Sequence, residues 1–276
     1  MRGRVAFRVA LGACLVVTLA FLVIPVLAIF LRVPPGTLLH QLGSGVATDA
    51  LIVTLKTNAI AQGLILLIGT PAAYLVGRHR FPGRGAVITL VELPLVLPPA
   101  VAGIGLLAAF GRAGLLGSTL QAGGITLPFT QTAVVLAVAY VASPFYLRQA
   151  IAAFEALDGN ILDASRTLGA GPARTFFRVV LPLARGGLAA GEALAFARGI
   201  GEFGATIMFA GSLQGVTQTL SLAIYSAFDL DFDTALALGA LLVLVSLAVL
   251  VAARLVPLWT RSASTSPFLF ARSTSS

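Results

Sequence analysis

Long apolar runs separated by short polar segments fill most of this 276-residue chain. A run of about 20 apolar residues is long enough to cross the hydrocarbon core of a bilayer as a helix. The pattern therefore predicts an all-α membrane protein with six transmembrane helices. The predicted spans are 9–31, 51–77, 86–110, 130–150, 182–210 and 234–258. Pro94, Pro98 and Pro99 interrupt the third span, and we expect a break there because proline lacks a backbone N–H donor.

The arginines predict the orientation of these helices, because cytoplasmic loops of membrane proteins carry an excess of Arg and Lys. If the N-terminus is inside, the outer loops hold two arginines, Arg32 and Arg112. The other fourteen arginines of the loops and termini then face the cytoplasm: Arg2, Arg4, Arg8, Arg78, Arg80, Arg84, Arg148, Arg166, Arg174, Arg178, Arg185, Arg254, Arg261 and Arg272. We therefore predict that both the N- and C-termini are cytoplasmic, as an even number of spans requires.

Composition supports a multi-pass protein in a lipid bilayer. The chain is 58% hydrophobic and 10% charged, whereas soluble domains carry about 25% charged residues. A net charge of +8 would suit nucleic acid, but the arginines stand at segment ends without interleaved aromatics, which excludes that partner. Residues 1–260 are predicted to form one transmembrane domain, with a polar loop at about 151–181. Residues 261–276, rich in Ser, Thr and Arg, are predicted to be a short disordered cytoplasmic tail.

The polar loop between the fourth and fifth spans carries helix signals. Asn160 is predicted to cap a short helix over 161–168, and Gly169 and Gly171 to end it, because glycine accepts the left-handed conformation. Pro172 fits the first turn of a second helix, which leads into span five. From the residues alone, two interpretations stay open. The first helix docks on a partner protein, or it lies on the lipid surface as an amphipathic segment.

Charged residues inside span five form a second candidate site. A charge in the middle of the membrane costs about 2.5–3.5 kcal/mol, so such residues should face protein or pair. Arg198 and Glu202 are four residues apart, which places them on one helix face, where they can pair. Gly201 and Gly204 allow close approach of another helix. The pair either fixes helix packing or lines and gates a conduit, and the two roles are compatible.

The polar loop resembles a motif in the membrane subunits of bacterial ABC importers, which reads E-A-A, three residues, G, nine residues, I, one residue, L-P. The match begins at Asp163 and ends at Pro182, with Asp for Glu, Ser for Ala and Val179 for Ile. The resemblance implies a type I ABC importer permease fold, with a cytoplasmic coupling helix that docks into a cleft on a separate ATPase subunit. The ATPase-coupling residues that it implies are Asp163, Ala164, Ser165, Gly169, Ala170, Leu181 and Pro182.

A second stretch, which begins at residue 197, makes the resemblance more specific. The run 197–206, followed by Thr217-Gln218-Thr219-Leu220, is similar to the molybdate importer subunits. Sulfate importers share the Gly-Glu-Phe-Gly core at 201–204 but tend to differ after it, and Ser221 here stands where proline is common. From their charge, polarity and depth in span five, Arg198, Gly201, Glu202, Gly204 and Thr206 are predicted to belong to the translocation path or gate.

The resemblance as a whole implies the permease subunit of an ATP-driven oxyanion importer in a bacterial cytoplasmic membrane, with molybdate or tungstate as cargo. It implies a homodimer, two cytoplasmic ABC ATPase subunits that use ATP-Mg, and an extracytoplasmic oxyanion-binding protein. The sequence has no G-x-x-x-x-G-K-[ST] phosphate loop, so ATP hydrolysis falls to the partner. We expect no enzyme activity, cofactor or metal in this chain.

Other functions are weighed against this one. A sulfate or thiosulfate importer permease is the nearest alternative. A secondary transporter would use intramembrane acids such as Glu92 and Glu202 as proton sites, but these proteins often have paired broken helices, and here only the third span is obviously broken. An intramembrane enzyme has least support, since His40 and His79 stand outside any metal-ligand spacing.

Overall fold

The computed structural model describes residues 2–262, and it describes their side chains except for Arg2, Leu42 and 253–262. All regular structure in this part of the chain is helical, which confirms the predicted all-α class. Two short π-helical segments, π1 (Ile65–Gly69) and π2 (Phe176–Val180), join neighbouring helices. The α-helices are α1 (Arg2–Arg32), α2 (Pro35–Leu42), α3 (Gly45–Leu64), α4 (Thr70–Arg78), α5 (Arg84–Val96), α6 (Pro99–Phe110), α7 (Gly117–Ala122), α8 (Gln131–Glu155), α9 (Gly159–Thr167), α10 (Pro172–Thr175), α11 (Leu181–Ile200), α12 (Gly204–Ala210), α13 (Leu220–Phe228) and α14 (Phe232–Ser262).

Within the described residues, five helical stretches are long and apolar enough to cross a membrane. They are Gly3–Arg32, Gly45–Arg78, Gln131–Glu155, Pro172–Ile200 and Phe232–Ala252. The pair α5 and α6 supplies a sixth candidate, with a bend of 114° between its halves. The break falls at Pro98 and Pro99, as the sequence predicts, whereas Pro94 lies inside α5. Counted as one span, the bent pair completes the predicted six.

The fifth span ends earlier than the sequence predicts. The apolar pattern predicts one helix over 182–210, but α11 ends at Ile200 and α12 begins at Gly204. The chain can leave the helix here because the side chain of Glu202 supplies a hydrogen-bond acceptor. Its Oε1 accepts from the N–H of Ala205 at 2.8 Å, a donor at the start of a helix that has no partner in the preceding turn.

The described residues form two compact units, each built from three separate stretches of chain. Unit 1 contains the residues up to Ala61, then Leu97–Val141 and Gly199–Ser246. Unit 2 contains Gln62–Val96, Ala142–Arg198 and the described residues from Leu247 onward. The two candidate sites of the sequence divide accordingly, because the polar loop lies in unit 2 and the residues around Glu202 lie in unit 1.

Small side chains build the core of unit 1. A Cβ added to Gly103 would stand 2.6 Å from the carbonyl oxygen of Ala205 and 2.7 Å from the Cβ of Met208, so α6 and α12 touch at backbone distance. Membrane helices pack through such close approach because lipid gives no hydrophobic drive to associate. One core cluster of unit 1 consists of Ala61, Ala102, Leu106, Ala133, Val134, Val135, Ala137, Val138, Val141, Ala205, Phe209 and Ala210.

Helix α1 leaves its apolar side chains uncovered. None of the residues in its most apolar stretch is buried, and Phe21 is 77% exposed. An apolar surface of this extent needs lipid or another protein around it. The predicted tail at 261–276 begins inside α14, whose last described residue is Ser262, and 263–276 lie outside the described residues.

Candidate functional site

The polar loop of unit 2 contains the helix that the sequence predicts, but with a different N-cap. Helix α9 begins at Gly159, and Asp158 rather than Asn160 caps it. The Oδ1 atom of Asp158 accepts from the N–H of Asn160 at 2.9 Å. Both residue types cap helices well, and the carboxylate has the additional advantage of a negative charge at the positive end of the helix dipole.

The end of α9 follows the predicted glycine turn. Gly169 has φ = +79°, the left-handed conformation that favours glycine. Its N–H donates to the carbonyl of Arg166 at 2.9 Å, and the N–H of Ala170 donates to the carbonyl of Ser165 at 3.1 Å. These two bonds satisfy carbonyls at the end of α9. Pro172 then opens α10 at its first position, as predicted.

Two contacts hold α9 against the rest of unit 2. The side chain of Leu162 is 4% exposed and is buried on the inner face of α9. The hydroxyls of Ser165 and Thr175 form a hydrogen bond of 3.0 Å between α9 and α10. Thr175 is itself 5% exposed. The helix is therefore fixed in position on one side by an apolar anchor and a hydrogen bond.

The other side of α9 is available to a partner. Leu168 is 87% exposed and Ile161 is 45% exposed, so apolar side chains stand at both ends of this face. Asp163 and Arg166 form an exposed ion pair of 3.1 Å, and Ala164 is also exposed. Exposed apolar side chains beside charges are typical of a surface that another protein covers.

The segment after the turn forms one continuous helical run from Pro172 to Ile200. It passes through π2 and enters α11 at Leu181, and Val180 at the junction is fully buried. Leu181 is half-buried and Pro182 is exposed. An unbroken helix transmits a displacement along its axis because its backbone hydrogen bonds resist extension.

The path residues predicted in span five lie around the break rather than on one helix. Arg198 belongs to the last turn of α11, and Glu202 lies in the break. The predicted shared helix face of Arg198 and Glu202 is therefore wrong, because α11 ends at Ile200 between them, whereas their pairing stays a prediction. Gly201 is exposed, with no atom within 4 Å of an added Cβ, whereas Glu202 is 2% exposed.

The residues after the break are packed tightly in unit 1. A Cβ added to Gly204 would stand 2.6 Å from the Cβ of Pro99, which confirms the close approach that this glycine predicts. Thr206 is fully buried, and its hydroxyl oxygen has no hydrogen-bond partner among the described residues. A buried hydroxyl without a partner costs free energy.

Sequence reasoning missed several polar residues of α3 that belong to the same buried region. Asn58 is 1% exposed, and its side chain lies directly beside Gly199, where a Cβ would collide with it. The Oγ1 atom of Thr54 accepts from the N–H of Leu220 at 2.8 Å and donates to the carbonyl of Ala50 at 2.7 Å. Polar Thr and Asn residues within an apolar span were the available signal.

The Thr217-Gln218-Thr219 segment that carries part of the resemblance is also buried. Thr217 is fully buried, and its hydroxyl accepts from the N–H of Leu213 at 3.0 Å. Thr219 is 4% exposed, and its hydroxyl has no partner among the described residues. These side chains thus close a turn inside unit 1 that begins at Gly211, where φ is +67°.

Glu92, one of the two acids that a secondary transporter would use as proton sites, forms an ion pair. Nε of Arg148 lies 3.1 Å from Oε1 of Glu92 within unit 2. Both side chains are partly exposed, and an exposed ion pair of this kind contributes little to stability. On the other unit, Nζ of Lys56 donates to Oε1 of Gln131 at 2.8 Å.

The family match agrees with this geometry. A family model described as "Binding-protein-dependent transport system inner membrane component" matches residues 69–260, which include the α9 helix and the break at 201–203. The match covers more than half of the chain. The chain therefore belongs to this family of inner membrane components of binding-protein-dependent transport systems.

Known relatives indicate more specifically which transport permeases this chain is similar to. The molybdenum transport system permease protein ModB of Mycobacterium bovis is 42% identical over 228 residues, which are 83% of this chain and 86% of the relative. The sulfate transport system permease protein CysW of Synechococcus elongatus is 34% identical over 206 residues, 73% of this chain and 72% of the relative.

The fold matches a chain in the crystal structure of a bacterial alginate ABC transporter in complex with its alginate-bound periplasmic protein. The TM-score is 0.75 at 15% identity, over 91% of this chain and 93% of that chain. The predicted type I ABC importer permease fold is confirmed.

Proposed function

We propose that this chain is the membrane-spanning subunit of an ATP-driven importer whose cargo is molybdate. The observation that carries the proposal is the 42% identity to a molybdenum transport permease across 83% of the chain. The sulfate permease is more distant at 34%, so sulfate is the less favoured cargo. Molybdate and tungstate have the same charge and nearly the same size, and we expect both to be carried.

The proposed complex contains a homodimer of this chain, two cytoplasmic ABC ATPase subunits and an extracytoplasmic oxyanion-binding protein. It lies in a bacterial cytoplasmic membrane with both termini inside, an orientation supported by the arginine distribution. The ATPase subunits bind and hydrolyse ATP-Mg. The binding protein selects the anion and delivers it to the outer mouth of the conduit.

Helix α9 is the proposed coupling helix, with Asp163, Ala164, Gly169 and Ala170 at its ATPase contact and Ser165 joining the helix to α10. Its exposed apolar face, with Leu168 as the most exposed side chain, supports this role because nothing in unit 2 covers it. Leu181 and Pro182 begin α11, which carries the movement inward. The ATPase changes the conformation of the permease because it contacts two states of the permease differently, which is the requirement for any population shift.

The proposed translocation path runs by the break in the fifth span. Arg198, Gly201, Glu202, Gly204 and Thr206 are proposed as path or gate residues. Supporting this role, Glu202 and Thr206 are buried polar residues in a region otherwise built from small apolar side chains. A break between two helices also provides a place where one conformation can change into another.

Uptake of labelled molybdate by the reconstituted complex in proteoliposomes tests the proposal. With the binding protein present, we expect uptake that requires internal ATP and is competed by unlabelled tungstate but not by sulfate. Equal competition by sulfate would assign the chain to sulfate transport instead. Uptake that persists without ATP under an intact ion gradient would contradict an ATP-driven importer and favour a secondary transporter.

A further inference from the structure

Unit 2 contains a polar cavity that the proposed transport mechanism does not use. It has a volume of about 400 Å³ and is lined by Gly77, Arg78, His79, Arg80, Arg84 and Glu155. Three guanidinium groups stand against one carboxylate, so the lining carries a net positive charge. A volume of this size falls within the range of about 300–1,000 Å³ that is typical of ligand pockets.

Two of the arginines are held in place by the surrounding backbone. Nη1 of Arg78 donates to the carbonyl of Leu157 at 2.8 Å, which fixes it against the residue that precedes the α9 cap. Nε of Arg84 donates to the carbonyl of Val76 at 2.8 Å, and its Nη2 pairs with Glu155. A guanidinium group has five N–H donors, so these fixed arginines keep donors for a further acceptor.

The third arginine of the cavity, Arg80, has no polar partner among the described residues. Arg80 is exposed and makes no hydrogen bond or ion pair with any other described residue. It stands between the two fixed arginines in the sequence, on the connection from α4 to α5. Since nothing in unit 2 neutralises it, its charge adds to the attraction of the cavity for an anion.

The cavity lies at the polar end of membrane-crossing elements. Arg78 is the last residue of the candidate span Gly45–Arg78, and Arg84 opens the bent candidate span that follows. This position matches the depth of lipid headgroups. Basic pockets at the membrane surface recognise the phosphates of anionic lipids, and arginine suits this task because its planar fork matches phosphate oxygens.

We propose that this cavity binds the phosphate of an anionic phospholipid headgroup. Arg78 and Arg84 provide a preformed cradle, and Arg80 closes on the phosphate from the solvent side. The bound headgroup lies beside Leu157, directly before α9. The proposal goes beyond transport of an oxyanion and requires only that the chain spans a membrane.

Lipid binding to the full chain, purified in detergent, tests the proposal by native mass spectrometry. The probes are dioleoylphosphatidylglycerol, dioleoylphosphatidylcholine and inorganic phosphate. We expect the wild-type chain to retain phosphatidylglycerol in preference to phosphatidylcholine. Arg80→Gln should weaken phosphatidylglycerol binding roughly tenfold, which is typical of the loss of one hydrogen bond to a charged group. Arg80→Lys should retain part of the affinity.

Arg185→Gln is the matched control, because Arg185 is an exposed arginine of the same unit outside the cavity. It should bind phosphatidylglycerol like the wild type. Equal retention of the two lipids, or unchanged binding in Arg80→Gln, overturns the proposal. Arg80-dependent binding of inorganic phosphate without lipid preference would show a soluble ligand instead. Arg80-dependent binding of the ATPase subunit, independent of lipid, would assign the cavity to a protein partner.

Discussion

Two glycine-containing helix interruptions serve opposite physical needs in this protein. The turn after α9 in unit 2 needs Gly169 for its backbone conformation, because φ is +79° and nothing lies within 4 Å of an added Cβ. The break before α12 in unit 1 needs Gly204 for space, because an added Cβ would meet Pro99 at 2.6 Å. Position 169 has room for a larger side chain but requires the left-handed conformation. Position 204 does not require that conformation but has no room for a side chain.

The two interruptions also differ in their surroundings, because the break before α12 is tightly packed whereas the turn ends a helix with an exposed face. The surroundings of the break are packed at backbone distance, and its polar side chain Glu202 is bound within the unit. The α9 helix is anchored by Leu162 and the Ser165–Thr175 hydrogen bond, and its other face is exposed. Substitutions in the first region should therefore affect stability, and those in the second should affect coupling.

The largest effect is expected from Gly103→Val. The new side chain would collide with the backbone of Ala205 and with Met208, so α6 and α12 must separate. Overpacking of this kind costs about 1–3 kcal/mol and occasionally more. Gly105→Val on the same helix is the control, because an added Cβ there meets nothing within 4 Å. Thermal unfolding of the purified variants in detergent measures the difference, and equal midpoints for the two would refute the packing argument.

Removal of the acceptor at Glu202 should have the next largest effect. Glu202→Ala leaves the N–H of Ala205 without its partner in a buried site, at a cost of about 1–3 kcal/mol. Glu202→Gln keeps an acceptor oxygen and should unfold close to the wild type. The same two variants also separate structure from transport. If Glu202→Gln is stable but does not transport molybdate, the negative charge itself acts in the path.

The turn at Gly169 should control coupling with little effect on the membrane part. Gly169→Val places a β-branched residue in the left-handed region at about 1–2 kcal/mol and should displace α9. We expect ATP hydrolysis to continue while the amount of molybdate imported per ATP falls. Gly169→Asn should be milder, since asparagine tolerates this conformation. Gly171→Val is the control, because Gly171 has φ = −67° and open space around it. Normal coupling in Gly169→Val would count against the role of the turn.

The smallest effect is expected at the hydrogen bond between α9 and α10. Ser165→Ala and Thr175→Val each remove one hydroxyl, and one hydrogen bond contributes about 0.5–1.5 kcal/mol. Hydrogen exchange of the α9 amides measures the loss of protection. A double-mutant cycle isolates the bond from other effects of each change. Strictly additive effects would show that the two hydroxyls do not stabilise each other.

The sequence predicts the features whose causes are local. Gly169, Pro172 and the prolines before α6 act on their own backbone, so the turn, the start of α10 and the bent span follow from residue type. The α9 cap was predicted two residues late because Asp158 and Asn160 are both good caps. The fold class also follows from local hydrophobicity.

Non-local contacts account for what the sequence does not predict. The break after α11 is an exception, because its hydrogen bond from Ala205 to Glu202 is local, but a run of apolar residues with glycines fits a continuous helix equally well. The side chain of Asn58 lies beside Gly199, some 140 residues later in the chain, which no local pattern indicates. The buried polar part of the candidate site therefore becomes visible only in three dimensions.

Cross-linking from the exposed tip of α9 tests the central claim most directly. Leu168→Cys, in a chain whose single natural cysteine is replaced by Cys14→Ser, places a thiol directly after α9 at a side chain that is 87% exposed. In the assembled complex we predict a cross-link to the ATPase subunit whose yield changes when ATP binds. A thiol that reacts only with lipid-soluble reagents, and that never links to an ATPase subunit, would contradict the account.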